Sequence, residues 1–289
     1  MRFLEISGLV TSGRRALSTV AVAAAMLGTA HAQSPLVSSD DDTWHFSVTP
    51  YLFLPVSTTG DSTVAGATAA VDLDLMDVFE ALNFAAAGRA EAWKGRFGIM
   101  GDVYYANLGG GSTVTLPGPA GGTARVDISS KQGWASLLGG YRLLEGSLDP
   151  GLVNTQRFAV DVGAGVRYDS LRQEVDASLN VDIGPGIGFQ RTLGGTETWW
   201  EPVVMLRGSA QIDDRWTAGA RVEMGGFGVN GSDLQWLALA GFDYRAWENT
   251  SLKLGWQFYG IDYSTTRADG LFAYDVFQTG PYMGATFNF

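Results

Sequence analysis

Apolar and polar residues alternate one for one over most of this chain, the period of a strand whose two faces meet different surroundings. The cleanest run covers 157–169. Phe158, Val160, Val162, Ala164, Val166 and Tyr168 fall on one face, and Arg157, Asp161, Gly163, Gly165, Arg167 and Asp169 on the other. From Phe158 to Tyr168, at roughly 3.3 Å per residue and a tilt near 40°, the run projects to about 25 Å, the height of the apolar belt of a membrane-spanning barrel. A strand in a soluble sandwich seldom needs that span.

The same two-faced pattern recurs along the sequence. It predicts strands at 44–54, 83–93, 97–108, from between 123 and 132 to 143, at 157–169, 198–212, 216–224, 235–245, 251–258 and 281–289, ten in all. Long polar connections at 56–82, 109–122, 171–196, 227–233 and 264–272 alternate with shorter ones at 94–96, 144–156, 213–215 and 247–250. This is the arrangement of an all-β, antiparallel, up-and-down transmembrane β-barrel, with loops outside and turns in the periplasm. Eight or twelve strands stay open, because the long connections have room to hide a pair and 171–196 to extend its strands outward. In the first of them Leu75, Val78, Phe79 and Leu82 fall at helical spacing behind Asp74 as N-cap. A short helix is predicted there, covering the barrel mouth or tucked inside it.

The two ends of the chain agree with that reading. In 281–289, Met283, Ala285, Phe287 and Phe289 alternate with Tyr282, Gly284, Thr286 and Asn288, and the run resembles the closing strands of bacterial outer-membrane barrels. In that resemblance Phe289 is the terminal aromatic, Phe287 the aromatic two before it, and Gly284 and Tyr282 the small and polar positions upstream. It implies a signal read by the barrel-assembly machinery. At the other end Arg2, Arg14 and Arg15 precede an apolar run over 16–27 and the small-x-small triplet Ala30-His31-Ala32. That order predicts a cleaved signal peptide at 1–32, a periplasmic lead-in at 33–43 and a barrel over 44–289. With Trp44 and Pro50-Tyr51 opening the first strand, and Val71-Asp72-Leu73-Asp74 before the helix, the chain resembles the broad group of Gram-negative outer-membrane β-barrel proteins, porin-like or surface barrels. The resemblance implies an outer-membrane location in contact with lipid.

Composition narrows the chemistry. A net charge of −11 argues against nucleic acid as a partner, and the absence of cysteine demands a fold held without disulfides. If the apolar faces meet lipid, the barrel interior collects Arg89, Glu91, Asp102, Arg142, Asp161, Arg167, Glu201, Arg207, Arg221, Glu223, Asp243, Arg245 and Lys253. Ions of both signs in such a space need partners or water, so cross-strand networks are expected. They lead either to a filled, structural barrel or to a narrow channel for small polar solutes. A surface-binding or adhesion barrel working through its external loops is the alternative.

Enzyme chemistry finds less support. Past the signal peptide the sequence holds one histidine, His45, near the periplasmic end, and no Gly-x-Ser-x-Gly. Omptin proteases are also ten-stranded, but their catalytic Asp-His pair at the outer rim has no counterpart where no histidine lies in an external loop. Asp72, Asp74 and Asp77 offer oxygen ligands without the glycine and distal glutamate of a calcium loop, and helix capping accounts for them. No cofactor and no metal are expected.

Overall fold

The computed structural model describes residues 40–115, 122–147, 157–181 and 187–289; the segment read as a signal peptide lies outside them. Twelve strands and one helix follow in chain order: β1 His45–Phe53, β2 Ser57–Val64, β3 Ala67–Asp74, α1 Leu75–Ala81, β4 Leu82–Lys94, β5 Phe97–Thr115, β6 Gly122–Ser147, β7 Arg157–Val181, β8 Ile187–Gln211, β9 Trp216–Val229, β10 Ser232–Trp247, β11 Thr250–Arg267 and β12 Gly270–Asn288. β1 pairs with β4, each later strand pairs antiparallel with the next, and β12 returns to β1, closing a ring of ten. Closure leaves the lipid-facing wall without a free edge. Val48 stands opposite Phe287, and Phe46 and Phe289 exchange backbone hydrogen bonds at the end of the seam.

The two remaining strands account for the first long connection. After β1 the chain kinks through Leu54 and Pro55, keeps its hold on β12 through hydrogen bonds from the Leu54 and Val56 N–H groups, and continues as β2 against the upper half of β12. β3 then folds back on β2 as a hairpin. The helix follows as its spacing predicts. Asp74 accepts from the N–H groups of Met76 and Asp77 while Asp77 accepts from the Asp74 N–H, a reciprocal cap, and Val78 is the buried member. α1 lies between β3 and β5 at the outer end of the wall.

The wall is taller than the alternation predicts. β6, β7 and β8 have 26, 25 and 25 residues, which at about 3.3 Å per residue and a tilt near 40° project to roughly 60 Å, against about 25 Å of hydrocarbon. The stretches read as loops at 109–122, 171–196 and 264–272 are therefore mostly strand. The polarity of the two faces changes along each long strand. On β11 the lower outward residues are Leu252, Leu254, Trp256 and Phe258 over inward Lys253 and Gln257; higher up the inward residues are Tyr259, Ile261 and Tyr263, and Asp262 and Ser264 face out. β7 changes in the same way, from outward Val166 and Tyr168 over inward Arg167 to inward Leu171 between Ser170 and Arg172. Below the change the outside meets acyl chains; above it water surrounds the wall, so apolar residues gain by turning inward. Exposed aromatics mark both ends of the lower belt, with Phe97, Trp216, Phe242 and Trp247 at one and Trp200, Phe227, Trp256 and Phe258 at the other.

Candidate functional site

Alternation turns each strand's ionic residues into the ring, and the pairing register decides which of them meet. Arg89 on β4 lies directly across from Asp102 on β5, and its Nε donates at 2.9 Å; the same carboxylate accepts from the Tyr51 hydroxyl at 2.8 Å. Arg142, Asp161 and Arg207 are in register on β6, β7 and β8, so one carboxylate separates two guanidinium groups, at 2.9 and 2.8 Å. Arg207 also crosses the interior to Glu91 on β4 at 2.7 Å. The Trp93 indole donates to Glu91 and has the Arg142 and Arg207 guanidinium carbons each 5.3 Å from its ring centre. Gly98 and Gly140 make room for this indole, because a Cβ at either position would strike it.

A second cluster lies further up. Arg167 donates to Glu223 at 2.6 Å and stands 3.5 Å from Glu201, which also accepts from Ser232 and from the Trp199 indole. Arg221 pairs with Glu223 as well, so two arginines share one carboxylate. Lys253 and Asp243 form a separate cross-strand pair at 2.5 Å. Arg245 stands apart from both clusters, donating to the Asp214 carbonyl in the turn between β8 and β9. The alternation groups all thirteen on one face, but it is the register that gathers the other twelve into partnered sets and leaves Arg245 at the rim.

Above the ions the interior becomes aromatic, a feature the sequence reading did not identify. Tyr104 stacks on Trp134 at 4.1 Å between ring centres, and Trp134 on Tyr259 at 5.1 Å. β6 and β11 lie on opposite sides of the ring, so the Trp134–Tyr259 contact spans the lumen. Gln132 and Gln235 both donate to the Tyr259 hydroxyl, at 3.1 and 2.9 Å. Trp199 on Tyr263 at 3.8 Å, with Phe53, Leu171, Ile261, Phe272, Tyr274 and Val276, extends the packed layer upward. The inward series Tyr259, Ile261, Tyr263 was the available signal, in step with Lys253 and Gln257 but beyond the point where the outward face stops being apolar.

The end of the ring that carries the short turns is less filled. A cavity of about 190 Å³ lies below the aromatic layer, with Arg89, Trp93, Arg207, Arg221, Lys253 and Tyr282 in its wall and His45, Thr286 and Asn288 at its lower end. The lead-in is tied to that rim, since His45 Nε2 and the Asp41 carboxylate are 3.0 Å apart. The Thr43 hydroxyl and N–H donate to Asp41 and, with His45 beside it, hold its carboxyl below the ordinary carboxylate range. Of the closing residues, Tyr282 faces the cavity and Gly284 packs against Tyr51, while Phe287 and Phe289 point outward. Among the described residues no group of three or more His, Asp or Glu side chains is placed to hold a metal ion, and Asp74 and Asp77 are engaged in the helix cap.

No protein-family model matches the chain, and none of the curated proteins matches it. Similar solved structures include the outer membrane protease OmpT from Escherichia coli, with 11% identity over 87% of this chain and 100% of that one and a TM-score of 0.46. The toluene transporter TodX of P. putida has 11% identity over 86% and 91%, with a TM-score of 0.30. A FadL homologue of Pseudomonas aeruginosa has 9% identity over 85% and 89%, with a TM-score of 0.25. At these values the fold assignment rests on the chain's own strand pairing.

Proposed function

We propose that this protein is an integral outer-membrane barrel whose interior is packed against solute flow, a structural wall that carries a tall external crown. The observation behind this reading is the Trp134–Tyr259 stack between opposite strands, in a layer further packed by Tyr104, Trp199 and Tyr263. Paired ions fill much of the space beneath it, where a water-filled path would need them hydrated instead. Planar-bilayer recording of the purified protein tests the proposal. Silence in salts of different ion size is the expected result, and stable unitary conductance steps would restore the narrow channel.

A surface-binding role is the second reading, favoured by the inner face of the crown. There Ile128, Val126, Leu179 and Phe189, on the rows that face inward lower down, remain exposed on three adjoining strands. Trimming β7 and β8 to 157–172 and 196–211 removes Leu179 and Phe189. Unchanged attachment of cells carrying the trimmed barrel, in an assay where the full-length barrel supports attachment, would refute this role.

A further inference from the structure

The cavity below the aromatic layer contains a donor that its surroundings leave largely unused. Arg221 is 3% exposed, and beyond its ion pair with Glu223 none of its guanidinium nitrogens finds a hydrogen-bond partner. Buried donors are seldom left this way, because an unmet N–H forfeits its hydration without return. Register makes the position less favourable still. Arg221 lies directly across from Arg207, and like charges in opposed positions repel. Arg207 already holds Asp161 and Glu91, whereas Arg221 shares its carboxylate with Arg167.

The wall around this donor is positive. Arg89, Arg142, Arg207, Arg221 and Lys253 line the cavity against Glu91, Asp161 and Asp243, and balance is reached only by counting Asp102 and Glu223, which are absent from the lining. Trp93, Leu239 and Tyr282 supply the less polar part of the wall. We infer that this is a binding site for a small organic carboxylate entering from the periplasmic side, its two oxygens meeting the free edge of the Arg221 guanidinium. A guanidinium fork matches a carboxylate in bidentate geometry, and the added negative charge would relieve the opposition of Arg207 and Arg221. Size sets the class. A cavity near 150 Å³ accepts benzene, so about 190 Å³ admits a single ring or short chain bearing one carboxylate.

The test is calorimetric titration of the full chain in detergent with benzoate, its neutral analogue benzamide, and inorganic phosphate. Saturable benzoate binding is expected, with benzamide at least tenfold weaker and phosphate weaker than benzoate. Arg221→Gln should lower benzoate affinity at least tenfold. Leu239→Trp, which fills the cavity without removing a charge, should abolish binding while leaving heat-modifiable gel migration unchanged, and it carries the test if the Arg221 variant fails to fold. Equal binding of benzoate and benzamide, full benzoate affinity in either folded variant, phosphate binding tighter than benzoate, or no heat with benzoate at millimolar concentration would each overturn the assignment.

Discussion

Trp134→Ala and Tyr259→Ala, made singly and together, measure the stack that spans the lumen. Trp134 is buried between two rings at 4.1 and 5.1 Å, so its truncation should cost about 3–5 kcal/mol, the usual range for a large aromatic in a packed interior. Within that cost the ring–ring attraction to Tyr259 should contribute about 0.5–1.5 kcal/mol. The loss of the Trp134 indole donor leaves Asp102 still bonded to Tyr51 and Arg89, so it adds little. Tyr259→Phe separates ring from hydroxyl. It leaves Gln132 without the hydroxyl while Gln235 keeps Asp169, so it should cost about 1–3 kcal/mol yet retain its coupling to Trp134. Urea unfolding in lipid vesicles, followed by gel migration of the folded form, gives all the free energies of the cycle. A coupling between Trp134→Ala and Tyr259→Ala below about 0.3 kcal/mol, within the scatter of additive sites, would refute the stack as a bridge across the barrel.

Further outcomes follow from other sites. Arg167→Met strips a cation from between Glu201 and Glu223, so it should destabilise by about 3–5 kcal/mol in the same unfolding assay, and changing Glu201 to Gln as well should recover part of the loss. Gly98→Ala pushes a methyl against the Trp93 ring and should cost about 1–3 kcal/mol, with a shift in tryptophan emission. In the turn before β9 the N–H groups of Arg215 and Trp216 donate to the Asp213 carboxylate and hold its pKa below the ordinary value. A pKa lowered in the folded state means the carboxylate steadies the turn above the unfolded value near 4 and loses that effect as pH falls through the folded one. Amide exchange at Trp216 should therefore quicken below about pH 4, relative to its intrinsic rate, in the wild type and much less in Asp213→Asn.

The belt was legible because hydrocarbon imposes one rule on every strand that crosses it. Val160, Val162 and Val166 have to face out, and Asp161 and Arg167 are thereby turned in. Past the belt that rule lapses. Ser170, Arg172 and Glu174 face water, so 171–196 reads as loop although most of it continues the wall. The aromatic layer escaped notice for the same reason, since Tyr259 and Ile261 belong to the inward row only after Phe258, where the outward row turns polar. Helix α1 was readable because its cap is local, with Asp74 and Asp77 three residues apart. Which ions pair was not readable. The contact of Arg207 with Glu91 depends on residues 116 apart in the sequence meeting across the ring.

β12 is gripped by two different partners, β1 along its lower half and β2 along its upper half, with a kink at Leu54 and Pro55 between them. A pull on the β2–β3 hairpin would work against the β12 bonds made between residues 56 and 66, while 47–53 remain zipped to the closing strand. Even with the hairpin lifted, the seam between β1 and β12 beneath it would stay closed.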